Sequence, residues 1–199
     1  MFAIPLDPAG EPDPTRAGAA ELRPLEPWQA EEFLAHIDRG RAFIGRFIGL
    51  ADAAKDLESA RAFLQSYAEK QAADGGRIYG IWREGTLVGG VLFRVFDPAA
   101  GNCEAGCWLE PAGVGRGLVT RAAEFIIDWA VEERGMHRVE WVVATGNSAS
   151  VRVAERLGMR RDGILREAYA YGGVRHDMEV WSVLAPEWRE RRAASRAAF

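Results

Sequence analysis

Long apolar runs are missing from this 199-residue chain. None approaches the ~18 residues that a membrane-spanning helix needs, so no membrane partner is expected. Cysteine is scarce, with Cys103 and Cys107 as the two thiols. Four positions apart on a strand, they lie roughly 13 Å from each other, beyond the reach of a disulfide. The three histidines, His36, His137 and His176, are scattered through the sequence. No metal-ligand set emerges, and the cysteines read as small core thiols. A surplus of basic charge is also missing. The net charge of −4 argues against nucleic acid as the main partner and leaves room for a basic acceptor such as an amine. The first six residues carry no basic region and are broken by Pro5. That is not the pattern of a signal peptide, and a cytoplasmic protein is expected. A composition of 48% hydrophobic and 27% charged residues is ordinary for one globular domain.

What is present is a glycine-rich stretch, Cys107-Trp108-Leu109-Glu110-Pro111-Ala112-Gly113-Val114-Gly115-Arg116-Gly117-Leu118-Val119-Thr120. It reads as a strand ending at a proline, a loop, and the first turn of an amphipathic helix. Gly113, Gly115 and Gly117 let the backbone turn tightly and approach a ligand with no Cβ in the way. The unpaired N–H groups and positive dipole end of the helix point back at the loop, which makes an anion site suited to phosphate or pyrophosphate. Two familiar phosphate loops fail here. No lysine follows the glycines as a P-loop requires, and the third glycine of a dinucleotide fingerprint is Thr120. Glu140, roughly where a ribose-binding acid belongs ~20 residues on, falls inside a strand-like run rather than at its end.

The rest of the chain alternates between two hydrophobic periods. Residues 1–20 hold Pro5, Pro8, Pro12 and Pro14 and read as a flexible arm. A short strand at 21–25 precedes a helix from 28 to about 39, and a second helix starts near Asp56. Strands at 77–83 and 86–96 flank the hairpin signal Glu84-Gly85, and a third runs over 102–109. The helix after the glycine loop presents Leu118, Ala122, Phe125 and Trp129 as its buried stripe. A strand at 137–144, a helix at 147–157, and strands at 159–171 and 174–184 around Gly172-Gly173 complete the order. A basic tail, residues 189–199, holds Arg189, Arg191, Arg192 and Arg196 and suits a solvated helical end. The fold class is α/β, with a mixed sheet.

These residues resemble the GCN5-related N-acetyltransferase (GNAT) superfamily, and within it the RimJ/RimL type that acetylates ribosomal-protein N-termini. Gly106-Cys107-Trp108-Leu109 followed by Gly115-Arg116-Gly117-Leu118-Val119-Thr120-Arg121-Ala122 is similar to that branch's pattern. Asn147-Ser148-Ala149-Ser150 and Leu157-Gly158-Met159 resemble its next motifs. The likeness covers residues 21–188, which it implies form the catalytic domain. The superfamily's wider acyl-CoA motif falls on residues 114–119, where Val114 and Val119 depart from the strict form and Gly117 matches. The resemblance implies a twisted, mostly antiparallel sheet of about seven strands, splayed between its two central strands and flanked by about four helices. It also implies acetyl-CoA as donor and a primary amine as acceptor, with a homodimer among the states it allows. The diphosphate is then expected over the N–H groups of Gly115, Arg116, Gly117 and Leu118, with the Thr120 hydroxyl beside them, and the pantetheine along the backbone of Trp108 and Leu109. Asn147 is expected either to bond the cofactor or simply to cap a helix.

Acetyl transfer to an amine needs a base, a polarised thioester carbonyl and a proton for the departing thiolate. Glu104, on the strand leading to the loop, is the first candidate for base; its alternative is pairing with Arg94 across the sheet. Glu140 is the second acidic candidate, acting through a water or simply facing solvent. The tyrosine that many superfamily members use as acid is Ala154 here, which leaves Ser150 as the branch's donor to the thiolate or as a packing residue. Tyr169 and Tyr171 are candidates for lining the acceptor pocket or for filling core, and Trp141 for narrowing the site. The glycine-punctuated stretch 41–50 with Phe43, Ile44, Phe47 and Ile48 suits a substrate-facing wall or ordinary packing. A second reading keeps the cofactor loop without catalysis, as an acyl-CoA-binding or regulatory domain.

Overall fold

The computed structural model describes residues 3–6 and 20–197. In chain order the elements are β1 (Ile4–Pro5), β2 (Ala20–Pro24), α1 (Ala30–Ile44), α2 (Leu50–Ala53), α3 (Leu57–Ala72), β3 (Arg77–Arg83), β4 (Thr86–Asp97) and β5 (Asn102–Leu109). After the glycine loop come α4 (Leu118–Asp128), β6 (Arg138–Ala144), α5 (Ser148–Arg156), β7 (Arg160–Tyr171), β8 (Val174–Leu184) and α6 (Ala185–Ala197). Among the described residues no helix is long and apolar enough to cross a membrane.

The eight strands form one sheet in the order β1-β2-β3-β4-β5-β6-β8-β7. Every pairing is antiparallel except β5 with β6. The hairpins close at Glu84-Gly85 and Gly172-Gly173, where all four residues have positive φ, the twist that two-residue turns between antiparallel strands favour. Strands β5 and β6 run side by side only from Asn102↔Arg138 to Ala105↔Trp141. Beyond that point β5 stays on β4 as far as Leu109, and β6 stays on β8 as far as Ala144. The sheet therefore splits into a V at its centre.

Two cores cover its faces. On one, Cys103, Ala105, Val139, Trp141 and Val143 pack against Leu118, Ala122, Ile126 and Ile127 of α4. On the other, Phe33, Ile37, Leu64 and Tyr67 of α1 and α3 pack against Ile78, Leu87 and Trp108. Alternation along β5 assigns Cys103 and Cys107 to the α4 face and Glu104 to the opposite one.

Three sequence expectations change. Among the described residues, eight strands and six helices stand where about seven and four were expected. The extra strand, β1, lies inside the proline-rich arm: Ile4 and Pro5 pair with Leu22 and Glu21, an edge position that proline tolerates, and Leu6 is buried. Residues 7–19 of that arm lie outside the described residues. The basic tail is helical, as expected, and forms the body of α6, which starts one residue before Pro186, and proline is at home in a first helical turn. Its Trp188 is fully buried with Nε1 donating to Asp128 at 2.8 Å, and Arg192 pairs with Asp128 at 2.6 Å. Finally, Phe125 is exposed while Val119, Ala123, Ile126 and Ile127 are buried, so the stripe of α4 is rotated and wider than the four residues suggested.

Candidate functional site

The V in the sheet opens a cleft of about 1170 Å³ that reaches both faces. Its walls are residues 105–109 of β5 and 141–144 of β6. On the α4 face the glycine loop and the starts of α4 and α5 line it; on the other, α1, α3 and the β7–β8 hairpin do.

At the α4 end, Gly117 is the N-cap of the helix, in the left-handed region at φ 69°, and no side chain caps the helix there. The first N–H groups of α4 are thus left to a ligand or water. Gly115 is also left-handed, at φ 80°, and a Cβ built on it would meet nothing within 4 Å. Gly115, Gly117, Leu118, Val119 and Thr120 all line the cleft, and Val114 does so while half-exposed. Arg116 is exposed and outside the lining. Three arginines that the motif did not single out do line it: Arg121, one turn into α4, and Arg152 with Arg156 on α5. The four-residue spacing of the last two was the available signal, since it places both on one helix face. An open glycine turn, a helix start and nearby guanidinium groups fit the diphosphate and phosphate of a coenzyme A.

Where β6 leaves β5, Asn147 caps α5 by accepting from the Ser150 N–H at 3.3 Å, so the capping reading holds and its amide N–H₂ stays available. The Ser150 hydroxyl accepts from Trp141 Nε1 at 2.9 Å. Indole can only donate, so the serine keeps its own hydrogen to give elsewhere. Trp141 is buried, lines the cleft and fixes the position of Ser150.

On the opposite face Glu104 lines the cleft, and so does Arg94, which forks onto its carboxylate: Nε donates to Oε1 at 2.7 Å and Nη2 to Oε2. The register explains the aim. Phe93 faces Ala105 and Val95 faces Glu104, so Arg94 is the extra residue of a β-bulge, a device that redirects a side chain. The hydrogen bond to Glu104 raises the Arg94 guanidinium further above its usual range. Each carboxylate oxygen accepts about two hydrogen bonds, so the fork leaves Glu104 lone pairs for an ammonium or a water. Gly106 leaves room beside it, with Leu92 the nearest neighbour to a built Cβ at 3.5 Å. Glu140 sits opposite Glu104 in the register but pairs with Arg138 at 2.8 Å and is outside the cleft lining. Burial pushes the Cys103 and Cys107 thiols up to about 12, so neither is a thiolate near neutral pH.

A buried polar cluster pins the end of β5, and sequence reading missed it. Trp108 Nε1 donates to His36 Nε2 at 3.0 Å, which puts the histidine's proton on Nδ1, 3.2 Å from Glu110 Oε2. Arg39 bonds the same carboxylate at 3.0 Å and the Leu87 carbonyl at 2.6 Å. Trp108 is therefore anchored by its side chain to α1, over Gly90, which leaves no room for a Cβ beside the indole. Burial holds His36 down at about 4 against the pull of Glu110. An unfolded histidine takes up its proton near pH 6.5, the folded one only near 4, so stability present above pH 6.5 is lost as pH falls through that window. The loss should reach ~3 kcal/mol. In His36→Gln the urea midpoint should lose that part of its pH dependence; an unchanged slope would acquit His36.

The comparisons with known proteins agree with this architecture. Residues 20–160 match the family model described as an acetyltransferase (GNAT) domain. "Probable N-acetyltransferase YjcK" of Bacillus subtilis (strain 168) is 32% identical over 170 residues, covering 83% of this chain and 94% of that protein. "Putative ribosomal N-acetyltransferase YdaF" of the same organism is 28% identical over 172 residues, 84% and 92% of the two chains. Among solved structures, RimL, a ribosomal L7/L12 alpha-N-protein acetyltransferase in complex with coenzyme A, superposes with a TM-score of 0.82 at 17% identity. It covers 92% of this chain and 98% of its own, a likeness of fold.

Proposed function

Because the chain belongs to the GNAT acetyltransferase family and is an acetyl-CoA-dependent N-acetyltransferase, we propose that it moves the acetyl group directly to a primary amine held on the far side of the sheet. The observation that carries this reading is the cleft through the V, with a phosphate cradle at one end and the Glu104 carboxylate at the other. The residues proposed to hold the donor are Gly115, Gly117, Leu118, Val119 and Thr120 by their N–H groups or hydroxyl, Asn147 by its amide, and Trp108 and Leu109 along the unpaired edge of β5. Val114 borders that cradle, and Arg116 adds charge near it. In the reaction the ammonium gives one proton to Glu104, a C–N bond forms from the freed amine to the acetyl carbon, and the C–S bond breaks as Ser150 protonates the departing thiolate. The second proton of the nitrogen, shed as the amide forms, restores the Ser150 hydroxyl, and Glu104 returns its proton to water. No covalent protein intermediate is needed, in keeping with two thiols that burial keeps protonated. The RimL likeness and the ribosomal name of one relative support a protein N-terminus among the acceptors.

Release of free thiol from acetyl-CoA in the presence of a panel of amines and peptides tests the proposal. Thiol that appears only with an amine, together with its acetylated product, is expected. Binding of CoA with no thiol release by any amine would favour a non-catalytic acyl-CoA-binding domain. On the same assay Ser150→Ala should lower turnover by no more than about 10²-fold, the low end of a general-acid contribution, with the KM for acetyl-CoA almost unchanged. Full activity would reduce Ser150 to a packing residue held by Trp141.

A further inference from the structure

The half of the cleft on the Glu104 face is apolar and aromatic. Phe43 and Phe47 face it from α1 and the turn that follows, Phe63 and Tyr67 from α3, Leu92 from β4 and Leu165 from β7. Phe43 is 50% and Leu165 52% exposed. Large apolar side chains left in water on both sides of one cleft mark a surface kept for a ligand.

The wall is also pre-built. Tyr169 of β7 accepts the Gly49 N–H through its hydroxyl at 3.2 Å, and Tyr171 stacks on it with ring centroids 5.9 Å apart. Arg41 staples the turn from below, bonding the carbonyls of Ala51 at 2.6 Å and Ala54 at 3.0 Å. Phe63 stacks on Phe33 at 5.5 Å and touches Tyr67 at 5.2 Å. These contacts hold Phe63, Tyr67, Tyr169 and Tyr171 in place around the cleft. The charged groups lining this half are Arg94 and Glu104, and they neutralise each other. An acceptor with several ammonium groups would bury the extra charges against phenylalanine without partners, which is costly.

We infer, on the premise of the acetyltransferase reading above, that the acceptor is a primary amine attached to an apolar body of about the size of an aromatic side chain. The amine meets Glu104 and the body lies between Phe47, Phe63 and Leu165. That chemistry has two sources, a free arylalkylamine or a chain that begins with a bulky apolar residue.

The test is kcat/KM from thiol release at saturating acetyl-CoA. The acceptors are 2-phenylethylamine, ethylamine, spermidine, free phenylalanine, and short peptides beginning with Phe, Ser or Ala. Phenylethylamine or the Phe peptide should exceed ethylamine, spermidine and the Ser and Ala peptides by roughly 10- to 100-fold, the worth of burying one aromatic side chain. Whichever of the two leads identifies the source. Leu165→Ser, on an exposed edge strand, and Phe47→Ala should shrink that preference through KM, with melting temperature reported for each. Equal or better use of spermidine, of ethylamine or of the Ser and Ala peptides would overturn the inference while leaving the acetyltransferase reading intact. A lead for free phenylalanine would overturn it in favour of an amino acid whose carboxylate takes Arg94 from Glu104. Thiol release with no amine at all would remove the premise and the inference together.

Discussion

Replacing Glu104 by glutamine is expected to lower turnover by roughly 10²–10⁴-fold, the usual size of a general-base contribution, with acetyl-CoA affinity nearly unchanged. The amide keeps the shape of the carboxylate and can still accept from Arg94, but it takes up no proton from an ammonium. Raising the pH should recover part of the loss, because more of the amine then arrives already neutral. The bidentate fork from Arg94 makes the competing outcome concrete. If the pair only holds the bulge of β4 against β5, Glu104→Gln and Arg94→Met should both lower the melting temperature, and turnover per folded molecule should stay normal. Arg94 is 59% exposed at its side chain, so an ion pair there contributes at most a modest stability. A large kinetic loss with a small thermal one is therefore the expected signature. A stable Glu104→Gln variant with an undiminished rate would remove Glu104 from the mechanism and turn attention to Glu140 acting through water.

The second large effect belongs to the cradle. Coenzyme A binds the folded chain, so at 100 times its Kd it should stabilise the protein by ~2.7 kcal/mol. ATP and NADH should give no comparable shift, since the loop has neither the lysine nor the third glycine that those ligands call for. Gly117→Trp should abolish the CoA shift altogether. Gly117 is exposed, at φ 69°. A Cβ there lies 2.9 Å from the Arg121 guanidinium, and an indole would stand over the N–H groups of α4. The melting temperature of the variant without ligand reports the backbone strain separately. Stabilisation by CoA equal to that of the parent would mean that the phosphates lie elsewhere.

Much of this site was legible before any coordinates. The glycine loop stands where the sequence put it because its signal is local: a strand, a proline, three glycines and an amphipathic helix within 14 residues of one another. The alternation Cys103, Glu104, Ala105, Gly106 likewise placed the thiols and the carboxylate on opposite faces. The pairing of Arg94 with Glu104 was foreseeable as an alternative, but not its aim, because a β-bulge is a property of two strands together. The His36–Glu110–Arg39–Trp108 cluster escaped notice for the same kind of reason. It joins two pairs, His36 with Arg39 and Trp108 with Glu110, that lie 71 to 74 residues apart along its bonds and meet only when α1 packs on the end of β5. Glu140 was the second acidic candidate, on the strand beside Glu104; Arg138 draws it, with Ser182 and Asp162, into a polar network instead. The stretch 41–50 had two readings, a substrate-facing wall or ordinary packing; Phe43, Phe47 and Ile48 line the cleft, and α1 continues to Ile44, further than the hydrophobic period suggested.

The central claim is that donor and acceptor occupy the two ends of one cleft together, so that the acetyl group passes directly between them. Initial rates of thiol release over a grid of acetyl-CoA and amine concentrations test it most directly. Double-reciprocal lines that intersect, with no thiol released until both substrates are present, are the expected result. Parallel lines, or a burst of thiol from acetyl-CoA before any amine is added, would mean that the acetyl group first rests on the protein, and would contradict it.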